Sequence, residues 1–229
     1  MKMTLMAHFR ELRSRIIWSA VFFTAMFLIG LYISPFLRSI ITAPLFEVWD
    51  NPSMIMTGIA DGMMVEFDMA GLFAVFLSIP FFLWQLWRYV SPGLKDNERK
   101  IILPIVIMSV ILFLAGMAFA YFVLLPIMFK FFMSYGTENI TIMPDMKNYL
   151  AFSIELLKAF GLSFQFPLIL VILNRAGVLS RKKIISLSRY IIVAIFVIGA
   201  ALTPPDVVSQ LAMSLPMVLL FGLSLLFMV

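Results

Sequence analysis

The chain has 229 residues, 63% of them hydrophobic and only 13% charged, about half the charged share of an ordinary soluble domain. Apolar runs near or above the roughly 20 residues needed to cross a bilayer recur along the whole length. This excludes a soluble globular protein and predicts an all-α polytopic membrane protein, one integral membrane domain over 1–229. The alternating segments of about 10 residues that a transmembrane barrel requires are absent. There is no cysteine and one histidine, His8, so thiol chemistry is excluded and a metal site would have to be built from carboxylates; neither metal nor cofactor is expected.

Residues 1–15 space Phe9, Leu12 and Ile16 on one helical face with Arg10, Arg13 and Arg15 among them, which predicts a short interfacial helix. A topology signal accounts for the arginines but not for Glu11. A first span over 16–33 follows; it is too long, and lacks the small-residue site, for a cleaved signal peptide. The segment 34–68 carries Pro35, Pro44 and Pro52, so continuous helix is not expected there. Its acids, Glu47, Asp50, Asp61, Glu66 and Asp68, face one base, Arg38. Short amphipathic helices forming an external cap are the expectation.

A second span covers 69–90, with Pro80 inside it and Trp84, Trp87 and Tyr89 marking an interface. Residues 91–100, SPGLKDNERK, are a polar island holding Lys95, Asp96, Glu98, Arg99 and Lys100. The third span, 101–133, is long enough to tilt or to leave the lipid. A polar loop, 134–148, leads to a fourth span over 149–173, then to a basic loop over 174–189. The fifth span, 190–202, has only 13 residues and reaches about 20 Å against a hydrocarbon core of roughly 30 Å. A sharp turn, TPPD at 203–206, precedes the sixth span, which runs from Val207 and contains Pro216.

Six spans put three basic segments on one face: Lys2, Arg10, Arg13 and Arg15; Arg88, Lys95, Arg99 and Lys100; Arg175, Arg181, Lys182, Lys183 and Arg189. The positive-inside rule places that face and both termini in the cytoplasm. Because the bases sort by face, the net charge of +5 is no nucleic-acid signature. No zinc helix, nucleophile elbow or phosphate-binding glycine loop is present, so an enzyme is not expected. The two halves show no internal repeat of the kind that many carriers display.

Two constellations remain. Glu155 and Lys158, three residues apart within the fourth span, share a helical face; they form either a self-neutralising pair or the polar lining of a cavity or partner helix. Gln165, further along the same span, needs hydrogen-bond partners. On the basic face, the island is either a bare hairpin and topology signal or a site. Glu11 and Glu98, two acids where acids are scarce, suit an arginine-bearing peptide, because guanidinium pairs with carboxylate in a fork.

The residues also carry a resemblance. HFRELRSR at 8–15 resembles the HLxELRxR start of the TatC family, the polytopic receptor of the twin-arginine protein translocase. APL at 43–45, YVSPGLKDNERK at 89–100, AFGLSFQFP at 159–167 and LTPPDVVSQ at 202–210 are similar to further motifs of that family, in the same order. The resemblance implies six helices in a concave, glove-like bundle in the bacterial inner membrane. It implies recognition of twin-arginine signal peptides of folded substrates by Glu98 and Glu11, with Arg13, Tyr89, Pro92, Leu94 and Arg99 shaping the site. Pro44, Pro204, Pro205 and Asp206 would serve assembly on the outer side. Single-span TatA and TatB-type subunits would dock near spans 5 and 6, within a larger complex of several copies. Position 165 is Gln where many members have Glu, and Gly222 stands where many have an acid, which weakens a proton-relay reading here. An ion-coupled small-solute carrier using Glu155 and Lys158 is the alternative.

Overall fold

A computed structural model describes residues 5–46, 53–90, 102–135, 143–175, 177–202 and 207–228. Among them the regular structure is helical: α1 Leu5–Phe46, α2 Asp61–Val90, α3 Ile102–Phe119, α4 Leu125–Met133, α5 Met146–Ser163, α6 Gln165–Arg175, α7 Arg181–Ser186, α8 Ser188–Leu202 and α9 Val207–Ser224. A π turn, Ala120–Leu124, joins α3 to α4, and a 3₁₀ turn, Leu225–Phe227, follows α9. Five apolar stretches are long enough to cross a bilayer, and Ser188–Ala201 is a shorter sixth. The expected shortness of the fifth span therefore stands: α8 has 15 residues, about 22 Å. Large apolar side chains such as Trp18, Leu28, Tyr32, Phe36, Phe122 and Leu219 are exposed, as a lipid-facing surface requires.

Several boundaries differ from expectation. α1 runs 42 residues without a break, about 63 Å, so 5–15 is not a separate interfacial helix and 34–46 is not part of a looped cap. Pro35 was expected to stop it. Proline removes the amide that would bond the carbonyl of Leu31; the Ser34 hydroxyl lies 2.9 Å from that carbonyl and also against Glu66, and its one proton serves one of the two at a time. Pro44 is likewise helical and buried rather than a loop position. α2 begins at Asp61, two turns before the expected start. The fourth span is interrupted at Phe164, between α5 and α6, three residues before Pro167, whose ring cannot donate to the Ser163 carbonyl. Part of the basic loop is helical: Ser180 caps α7 by accepting from the Lys183 amide at 3.3 Å.

The chain divides into two compact units, one of 1–42, 54–111 and 145–154, the other of 43–53, 112–144 and 155–229. In the first, α1 and α2 cross where Gly30 lies on Ala70; a Cβ at Gly30 would sit 2.9 Å from the Ala70 backbone, so only glycine permits this approach. Phe22 stacks on Phe81 with ring centroids 4.5 Å apart. Arg38 pairs with Glu66 at 2.7 Å, and the buried Tyr149 hydroxyl donates to the Ile41 carbonyl at 2.9 Å. In the second unit, α3 meets α5 through Gly116 against the Phe160 carbonyl and Gly161 against the Phe113 ring, each with 2.5 Å of Cβ clearance. Phe119, Phe160 and Phe164 form a tilted aromatic triangle with centroids about 6 Å apart. Leu170, Ile184, Ile195, Met217 and Phe221 make the core that joins α6, α7, α8 and α9.

Candidate functional site

In the first unit a 350 Å³ pocket is lined by Glu11, Ser14, Arg15 and Trp18 of α1 and by Phe81, Gln85 and Arg88 of α2. Glu11 and Arg15 are one helical turn apart, acid first, the favourable order for a pair on a helix. Arg15 Nε donates to Glu11 Oε1 at 3.1 Å, and Nη2 donates to the same oxygen. Its remaining arm, Nη1, donates to Gln85 Oε1 at 2.9 Å. The guanidinium is thus clamped between two helices and holds the carboxylate by one oxygen. Glu11 Oε2 is buried and accepts no hydrogen bond from a described residue. A buried acceptor left unpaired costs about 1–3 kcal/mol, more when charged, so this oxygen favours an incoming donor. Trp18 and Phe81 line the same pocket; outside its lining, Trp84 lies 6.0 Å from the Phe81 ring, with Arg88 5.4 Å over it.

A second polar cluster of that unit clips loop residues to α2 and α5. Lys147 Nζ meets Asp61 Oδ1 at 3.0 Å, the Gly58 amide donates to Asp61 Oδ2 at 2.5 Å, and the Thr57 hydroxyl donates to Asp145 Oδ2 at 3.0 Å. Asp145 caps α5: it accepts from the Asn148 amide at 2.9 Å. That amide, with Thr57, holds its carboxyl below the ordinary carboxylate value. These acids are accounted for by structural bonds.

In the second unit a 660 Å³ groove is lined by Glu155, Lys158, Leu162 and Phe166 on the α5–α6 side and by Ile191, Ile195 and Ile198 of α8, with Met217 of α9. Glu155 and Lys158 both face it, but they do not form an ion pair with each other. Of the two readings left open for them, a self-neutralising pair and a polar lining, the arrangement fits the second. Gln165 opens α6 and is half-buried; it does not line the groove.

Of the residues expected at the peptide site, Glu11 lies in the pocket, Arg13 is exposed outside its lining, and Tyr89 is half-buried in the last turn of α2. Glu98, Pro92, Leu94 and Arg99 lie outside the described residues, as do Pro204, Pro205 and Asp206. Sequence reasoning missed Arg15 and Gln85. The four-residue spacing of Glu11 and Arg15 was a usable signal; nothing in the sequence pointed to Gln85, 70 positions away. Among the described residues no group of three or more metal-type ligands converges.

Fold and chemistry together define a polytopic helical membrane protein whose polar sites are equipped to bind. Residues 7–216 match the family described as Sec-independent protein translocase protein (TatC). The chain is 38% identical over 226 residues to a protein of that name from Azotobacter chroococcum mcd 1, covering 98% of this chain and 89% of the relative. Its counterpart in Escherichia coli K12 is 34% identical, covering 97% and 87%. Two crystal structures of the twin-arginine translocase receptor TatC, one in the detergent DDM, superpose with TM-scores of 0.85 and 0.87 at 31% identity, over 96% of this chain and 97–98% of theirs. The chain belongs to the TatC family, a family of protein translocase components and not of enzymes. This favours translocation over the small-solute carrier.

Proposed function

We propose that this chain is the receptor subunit of twin-arginine export. It lies in the bacterial inner membrane with both termini in the cytoplasm, receives the signal peptides of folded proteins, and organises single-span TatA and TatB-type partners in a complex of several copies. The observation that supports the reading is the buried Glu11 Oε2, bonded by no described residue, in a pocket that Trp18 and Phe81 also line. A peptide guanidinium offers the planar donor pair that such an oxygen lacks. Glu98, on the polar segment that follows α2 in sequence, supplies the second carboxylate, and Arg13, Tyr89, Pro92, Leu94 and Arg99 border the peptide. Pro44, Pro204, Pro205 and Asp206 act in assembly, and Gln165 hydrogen-bonds a helix or inserted peptide.

The test is binding of a twin-arginine signal peptide to the purified chain in detergent. Glu98→Gln and Glu11→Gln each remove charge while keeping shape. Each is expected to weaken binding by about 1.5–3 kcal/mol, the scale of a charged hydrogen bond, and a peptide with both arginines changed to lysine should bind the native chain weakly. Undiminished binding by both variants sinks the receptor reading.

A further inference from the structure

The groove of the second unit carries chemistry that peptide recognition leaves unused. Its walls are apolar except at Glu155, Lys158 and Ser163. Its α5, α6 and α9 walls belong to stretches long and apolar enough to span a bilayer, and its α8 wall to a shorter apolar helix; an ionised side chain there needs a partner or water. Glu155 and Lys158 sit on one helical face, close enough to pair, yet neither pairs with the other or with another described side chain. They present a fixed negative and a fixed positive charge side by side to whatever fills the groove.

The length and lining of the groove point to its occupant. Along α5 and α6 it extends from Glu155 to Phe166, about 16 Å at the helical rise. Apolar walls along that length, with charged side chains at one end, match paired hydrocarbon chains beneath a headgroup. The charged end lies at the shallow side of the bundle. α8 lines the groove up to Ile198 and ends at Leu202, and its 15 residues fall about 8 Å short of the hydrocarbon thickness. A helix that short draws lipid headgroups inward along its edge, toward the level of Glu155.

We propose that this groove binds one zwitterionic phospholipid with a primary amine. The phosphate faces Lys158, the ammonium faces Glu155, and the acyl chains lie against Leu162, Phe166 and Ile195. A net-anionic headgroup meets Glu155 with like charge. A quaternary amine offers no N–H for the carboxylate. A primary-amine zwitterion is the common headgroup that satisfies both side chains.

The experiment places the full chain in nanodiscs of mixed phosphatidylethanolamine, phosphatidylcholine and phosphatidylglycerol and measures, by native mass spectrometry, the lipids retained on release. The native chain should retain phosphatidylethanolamine at least about five-fold above its share of the mixture. Glu155→Gln leaves Lys158 alone and should shift retention to phosphatidylglycerol, a gain that misfolding cannot mimic. Lys158→Met should abolish selectivity. A photoreactive side chain in place of Leu162 should label lipid when the native membrane is irradiated. Equal retention of the three lipids by native and variant chains overturns the proposal, as does labelling of a single-span protein in place of lipid.

Discussion

The Glu11 pocket and the Glu155 groove each place an acid and a base on one face of one helix, and they resolve the charges differently. Arg15 reaches back to Glu11 while its free arm is anchored by Gln85 of α2. Lys158 has no such anchor, and its charge and that of Glu155 stay apart in an apolar slot. Three- or four-residue spacing permits a pair; a third side chain from a neighbouring helix decides whether the pair is held. The pocket is then left with one oxygen to offer, the groove with two whole charges.

Packing beside the groove should show the largest effect. Gly116→Leu drives a side chain into the Phe160 carbonyl and is expected to cost about 3 kcal/mol or more, read as lost thermal stability in detergent. Gly222→Ala, where a Cβ meets nothing within 4 Å, is the matched control and should be close to neutral. Glu11→Gln should weaken signal-peptide binding by about 1.5–3 kcal/mol while leaving thermal stability nearly unchanged; a parallel loss of stability would mean the acid serves the fold. Gln85→Leu isolates the third party: releasing Arg15 should weaken the same binding by about 0.5–1.5 kcal/mol, the scale of one hydrogen bond, in a calorimetric titration.

Asp145 provides a pH-dependent contrast. Its folded carboxyl titrates below the unfolded value of about 3.9, so its stabilisation is present above that value and is lost as pH falls through the folded one. Asp145→Ala should therefore be slightly less stable than the native chain at neutral pH, and the gap should close in acid melts. Smallest of all, Glu155→Gln combined with Lys158→Gln should leave peptide affinity within about two-fold, on the scale of the standing scatter in such measurements for independent sites. A larger loss would join the two regions functionally.

Much was legible before any coordinates. Long apolar runs demand helices in a bilayer because the backbone has no other partner there, so the class, the span order and the brevity of the fifth span followed from composition and position. The errors were local and had physical causes. Proline was read as a stop at 35, but the helix runs through it, with the Ser34 hydroxyl 2.9 Å from the carbonyl that proline leaves unbonded. The fourth span read as one helix, and a single turn at Phe164 splits it. The acids of 34–68 read as a cap surface; Asp61 and Glu66 are held by Lys147 and Arg38 instead.

The sequence by itself determined that this is a helical membrane protein with charged residues too sparse to be incidental, because transfer free energy depends on residue type and run length alone. It also carried Glu11, since an acid among arginines stands out by its chemistry. Only the tertiary structure decided which of the described charges are paired with one another and which are not. That outcome depends on a side chain 70 positions away, as Gln85 is from Arg15, and on helix approaches set by Gly30, Gly116 and Gly161. Contacts between distant positions have no local period or spacing to read, so they become visible only when the helices are packed.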